Sequence, residues 1–186
     1  MSNVTDVLDD IDNNQAYYNP SEDTSGNKFA KIEAGTYEAV VSKLTVKKDI
    51  QVKNKYLSDI YEAMYTIDDK NHPDLKGREV KSKGYFRFKK PDESKYPKLQ
   101  DNQGNNKGYM IFAEACGFEM HKDKEGRYAL PVVMESDISG NAVTIKVVHD
   151  KWTDQSGEQR VTPVAINVFK SQRKVEKPIT EDDLPF

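Results

Sequence analysis

The sequence predicts a mainly β protein: a five-stranded barrel with one short helix between its third and fourth strands, carried between two tails. Three observations point there. Stretches rich in Val, Ile, Tyr and Thr, several alternating polar with apolar, recur through the middle of the 186-residue chain. Clusters of Gly, Pro, Asn and Asp separate them. Acidic residues collect at the two ends, while residues 31–110 hold 17 basic and 12 acidic side chains.

The elements follow in order. Residues 1–30 carry six acids against one Lys and little periodicity, so they are expected as a flexible acidic arm. The folded domain is expected over 31–169. Residues 36–47 (TYEAVVSKLTVK) open it as the first strand, and a basic loop runs from Lys47 to Lys55. Residues 56–67 (YLSDIYEAMYTI) read as the second strand. Pro73 and Gly77 mark a turn, and residues 78–89 read as the third strand. A polar loop, 91–108, leads to YMIFAEAC at 109–116, a short helix stopped by Gly117. After the turn at Ser139-Gly140-Asn141, residues 142–149 alternate as the fourth strand. Residues 150–158 are expected as a loop and 159–169 as the fifth strand. Residues 170–186 are expected as a flexible linker and acidic tip. Five strands with a helix between the third and fourth is the element order of the oligonucleotide-binding (OB) fold.

Composition narrows the function classes. A charged fraction of 32% against 36% hydrophobic leaves room for one modest core plus solvated tails. One cysteine, Cys116, excludes an internal disulfide and a multi-Cys zinc site. The start, MSNVTDVLDD, has no basic residue and no apolar run, and no stretch approaches the roughly 20 apolar residues of a membrane span. A cytoplasmic protein with no membrane partner is expected. His72, His121 and His149 lack metal-ligand spacing, and phosphate-loop, nucleophile-elbow and HExxH patterns are missing. Asp74, Glu79 and Lys81 imitate a nuclease motif, but the gap between the acids is too short for the two strands that would present them. Neither an enzyme activity nor a cofactor or metal is expected.

The third strand carries the clearest site pattern. Strict alternation places Lys81, Lys83, Tyr85, Arg87 and Lys89 on one face, and Val80, Ser82, Gly84, Phe86 and Phe88 on the other. The first face reads as a basic groove with an aromatic platform, the second as core. Cations along a groove displace counterions from a phosphate backbone, and rings stack on bases. The preceding loop region adds Lys43, Lys47, Lys48, Lys53 and Lys55, with Tyr56 beside them. Tyr61 and Tyr65 share a face with Ala63 and Ile67 and read as core rather than stacking rings. Trp152, in the expected fourth loop, is either a lid on the core or a stacking platform.

The chain ends Glu181-Asp182-Asp183-Leu184-Pro185-Phe186. This resembles the tip of bacterial single-stranded DNA-binding proteins, with several Asp, an apolar residue, Pro and a terminal Phe. The resemblance implies that Asp182, Asp183, Leu184, Pro185 and Phe186 recruit replication, recombination and repair proteins. Phe186 offers a ring and its own carboxylate to a pocket edged by Arg or Lys. Pro185 limits the entropy lost on docking, and the acids steer the encounter. Over residues 30–170 the chain is similar to bacteriophage-encoded single-stranded DNA-binding proteins, in which a Gly-Thr-Tyr strand opens a diverged domain. That resemblance implies sequence-independent binding of single-stranded DNA in a host cytoplasm and leaves homo-oligomeric assembly open. The alternatives are a protein-only adaptor and a recombination mediator built on the same barrel.

Overall fold

The computed structural model describes residues 31–172. The expected arm over 1–30 and the tip residues Asp182, Asp183, Leu184, Pro185 and Phe186 lie outside the described residues. In chain order the elements are β1 (Gly35–Val52), β2 (Tyr56–Ile67), β3 (Glu79–Ser82), β4 (Tyr85–Lys89), helix α1 (Lys107–Ala115), β5 (His121–Lys122), β6 (Tyr128–Ala129), helix α2 (Glu135–Ile138), β7 (Ala142–Thr153) and β8 (Gln159–Lys170).

Five strands close on themselves. β1 pairs antiparallel with β2 along most of its length and with β7 through its first residues. β7 pairs antiparallel with β8, β8 runs parallel to β3, and β3 returns antiparallel to β2. This order, with its one parallel pair, makes a closed OB-fold-like barrel. β1 pairs with β2 on one edge and β7 on the other, and its register with β2 shifts between Val41 and Lys43 and again between Lys47 and Ile50. Each bulge bends the strand and adds twist.

Alternation along β2 is regular from Ile60 to Ile67, and its odd-numbered residues there fill the barrel. Tyr61, Ala63, Tyr65 and Ile67 are all fully buried, as are Val41, Val80, Val143, Ile145 and Val147 from the other strands. Past this closed ring β4 pairs with β2, and a gap opens between β4 and β8. The third strand pairs with β8 at Lys81 and Ser82, then follows the β1–β2 hairpin outward as β4. Helix α1 fills that gap with Tyr109, Phe112 and Ala113, each buried. Gly117 ends the helix at φ +100°, with amide bonds from Gly117 to Glu114 and from Phe118 to Ala113. This double return is the favoured glycine stop.

Two expected loops are shorter than the sequence suggested. β1 continues to Val52, so Lys43, Lys47 and Lys48 are strand residues; the turn is Lys53-Asn54-Lys55, with Lys53 and Asn54 at φ 54° and 52°. β7 continues to Thr153, so Trp152 is a strand residue opposite Arg160, and the turn covers only 154–158. That turn is tied by Asp154, whose carboxylate accepts the amides of Ser156 and Glu158, each at 2.9 Å. Among the described residues no helix is long and apolar enough to cross a membrane.

Candidate nucleic-acid interface

Gly84 decides how the third strand presents its side chains. Its φ is +94°, and a Cβ there would lie 3.2 Å from Ile60 Cγ2. Only glycine takes that backbone without strain. The residue interrupts the ladder between β3 and β4, and the inside–outside alternation inverts across it. Val80 and Ser82 point inward before the break; Tyr85 points inward after it.

The expected basic-aromatic face is therefore corrected. Lys81 and Lys83 do face solvent. Tyr85 is 8% exposed, its ring stacked on Phe112 at 4.3 Å and 10°. Its hydroxyl lies 2.8 Å from that of Tyr65. Burial raises the pKa of both phenols. The rings that face out are Phe86 and Phe88, which strict alternation assigned to the core. They lie parallel, 6.0 Å apart and 15° inclined. Phe86 is 36% exposed. Tyr56, across on β2, meets Phe88 edge-on at 6.1 Å, and the Lys55 ammonium is 5.3 Å from the centre of the Tyr56 ring.

Arg87 and Lys89 project to the other side of β4. Lys89 Nζ donates to Asp59 at 2.7 Å and Asp49 at 2.6 Å. Burial alone would lower the Lys89 pKa; the two carboxylates outweigh it and hold the pKa up. Arg87 lies 3.7 Å from Asp59, donates to the Leu130 carbonyl at 3.3 Å, and sits over the Tyr109 ring at 5.9 Å. Its Nε is buried with no acceptor among the described residues. These two cations join β4 to the segments packed beside it.

Acids from neighbouring strands also reach the outer face. Glu62 on β2 bonds Lys47 at 2.8 Å and pairs with Lys81 at 3.3 Å. The Lys47 hydrogen bond, reinforced by Lys81, outweighs burial and lowers the Glu62 pKa. Asp150 on β7 pairs with Lys83 at 3.2 Å. Lys43, Lys48 and Lys53 are exposed and make no ion pair among the described residues. Trp152 lies two residues from Asp150, so the period of the strand puts both on one face. It is 49% exposed, with Nε1 donating to Thr162 at 3.0 Å, and does not cover the core.

No family model and no curated protein matches the chain. The site therefore stands on its own geometry. It gathers Phe86, Phe88 and Tyr56 at one end of the outer face, Lys47, Glu62 and Lys81 across its middle, and Lys83 and Trp152 toward the β7–β8 hairpin. Tyr61 and Tyr65 are core, as their spacing indicated. Cys116 is buried, and burial pushes its thiol up to about 12, which leaves it inert near neutral pH. Among the described residues no three His, Cys, Asp or Glu side chains form a metal cluster.

Sequence reasoning missed Phe86 and Phe88. The signal that could have found them is Gly84, an isolated glycine inside a strand pattern, which marks a bulge or bend.

Proposed function

We propose that the barrel binds single-stranded DNA without sequence preference, in replication, recombination or repair, and that the C-terminal tip recruits partner proteins. One observation carries the first half: two parallel phenyl rings, the exposed Phe86 and the half-buried Phe88, lie on the outside of an OB-fold-like barrel, with Lys55 over the adjoining Tyr56 ring. Leaving such rings in contact with water is unfavourable, and a partner that covers them removes that cost. Bases stack on rings regardless of identity, and the lysines follow the phosphates. The second half rests on the sequence of the tip alone.

The test is fluorescence anisotropy with labelled oligo-dT and with a duplex of equal length. Binding to the single strand at low salt, weaker binding to duplex, and a steep loss with added salt support the reading. Equal affinity for both DNAs, or for neither, contradicts it. For the tip, deleting residues 182–186 should leave DNA affinity unchanged or higher and abolish capture of replication proteins; capture that survives the deletion refutes the recruiting role.

The pairing of Lys47 and Lys81 with Glu62, and of Lys83 with Asp150, favours a second reading. A charge-compensated face suits a protein partner better than a polyanion. That adaptor reading predicts no anisotropy change with either DNA.

A further inference from the structure

β4 has a second concave flank. A groove of about 1050 Å³ opens beside it, walled on the far side by residues 101–107 and by the β5–β6 hairpin. The volume is at the upper end of small-ligand pockets. Five cations, Arg87, Lys89, Lys90, Lys107 and Arg127, line it against two carboxylates, Asp101 and Asp123.

Those carboxylates are already engaged. Asp101 accepts both the backbone and side-chain amides of Gln103, at 2.9 and 3.1 Å. Asp123 bonds Arg127 at 2.8 Å and ties its own turn. Lys90 and Lys107 are exposed and make no ion pair among the described residues. Arg87 and Lys89 are paired with Asp59, Lys89 with Asp49 as well, and Arg127 with Asp123 and Glu125, so the charge the groove offers is that of Lys90 and Lys107. The groove also holds rings: Phe88, half of the outward pair, and Tyr128, which is 45% exposed. Phe88 borders the outer face and the groove alike.

We propose that this groove takes a second stretch of the same single-stranded DNA, with phosphates on Lys90 and Lys107 and bases against Phe88 and Tyr128. The strand then crosses the tip of β4 at Phe88, and the β5–β6 hairpin is a binding wall rather than a spacer. This rests on the reading of the barrel as a single-strand binder. It adds a site that no alternation pattern in the sequence indicates, because the two walls come from segments far apart in the chain.

The experiment compares the parent with the double variant Lys90→Ala/Lys107→Ala, titrating each with poly-dT at several salt concentrations. Neither side chain makes a hydrogen bond or ion pair among the described residues, so near-ultraviolet circular dichroism of the variant should match the parent. For single strands the slope of log affinity against log salt is about 0.7 per phosphate contact. Losing two contacts should flatten it by about 1.4 and shorten the length of DNA occluded per protein. An unchanged slope and occluded length, in a parent that binds poly-dT, overturns the groove and leaves the barrel reading intact. A parent that does not bind poly-dT overturns both.

Discussion

The Tyr85 ring lies 4.3 Å from that of Phe112, inclined by only 10°. This contact inside the fold fixes which way the next residues face. With Tyr85 turned in, Phe86 and Phe88 must turn out, and Arg87 must turn back toward α1 and the Leu130 carbonyl.

Tyr85→Ala should then be a stability defect. Emptying a site packed on Phe112 costs about 3–5 kcal/mol for a large ring. Tyr85→Phe should cost about 1–3 kcal/mol, because the Tyr65 hydroxyl loses its partner in a buried site. Urea unfolding measures both. A stable Tyr85→Ala protein would place the ring on the surface instead.

Gly84→Ala tests the inversion directly. At φ +94° an alanine is strained, and its Cβ meets Ile60 Cγ2 at 3.2 Å. The variant should lose about 1 kcal/mol or more of stability. It should also weaken DNA binding, since Phe86 and Phe88 depend on the break for their orientation. A neutral substitution at both levels would contradict the assigned role of Gly84.

Much of the barrel was legible where its strands keep a period of two. β2 spans residues 56–67, the bounds its alternation gives, and Gly117 stops α1 as expected. The third strand was not legible by that rule. Period two holds only along an unbroken ladder, and every residue after Gly84 changes sides. The charge of the outer face was hidden for a related reason. Along their own strand Lys81 and Lys83 share a face with one acid, Glu79, but the acids that pair with them, Glu62 and Asp150, arrive from other strands through pairing that spacing does not reveal.

Glu62→Gln should raise DNA affinity severalfold and steepen its salt dependence. The substitution removes a negative charge from the middle of the face and frees Lys47 and Lys81 for phosphates. Anisotropy titrations at two salt concentrations read both effects. Weaker binding would show that Glu62 positions these lysines rather than competing for them.

The β7–β8 turn should loosen in acid. Hydrogen bonds from Ser156 and then from Arg160 hold the Asp154 carboxyl down to about 2. Its free value is about 3.9. A lowered carboxyl contributes fully above the free value and loses that contribution as pH falls toward the folded one. Trp152, on the same hairpin, should report a change in emission between about pH 4 and pH 2. Asp154→Ala should show the acid-form spectrum at neutral pH. Identical spectra in parent and variant across that range would remove Asp154 from the account.

Phe86 and Phe88 are proposed as the stacking platform of a single-strand site. The most direct test is side-by-side titration of the parent and Phe86→Ala/Phe88→Ala with poly-dT at low salt, matched to a urea-unfolding curve for each. The parent should bind tightly, and the folded variant should lose about 1–3 kcal/mol of binding free energy per ring removed. Equal affinity of the two folded proteins for poly-dT would contradict it.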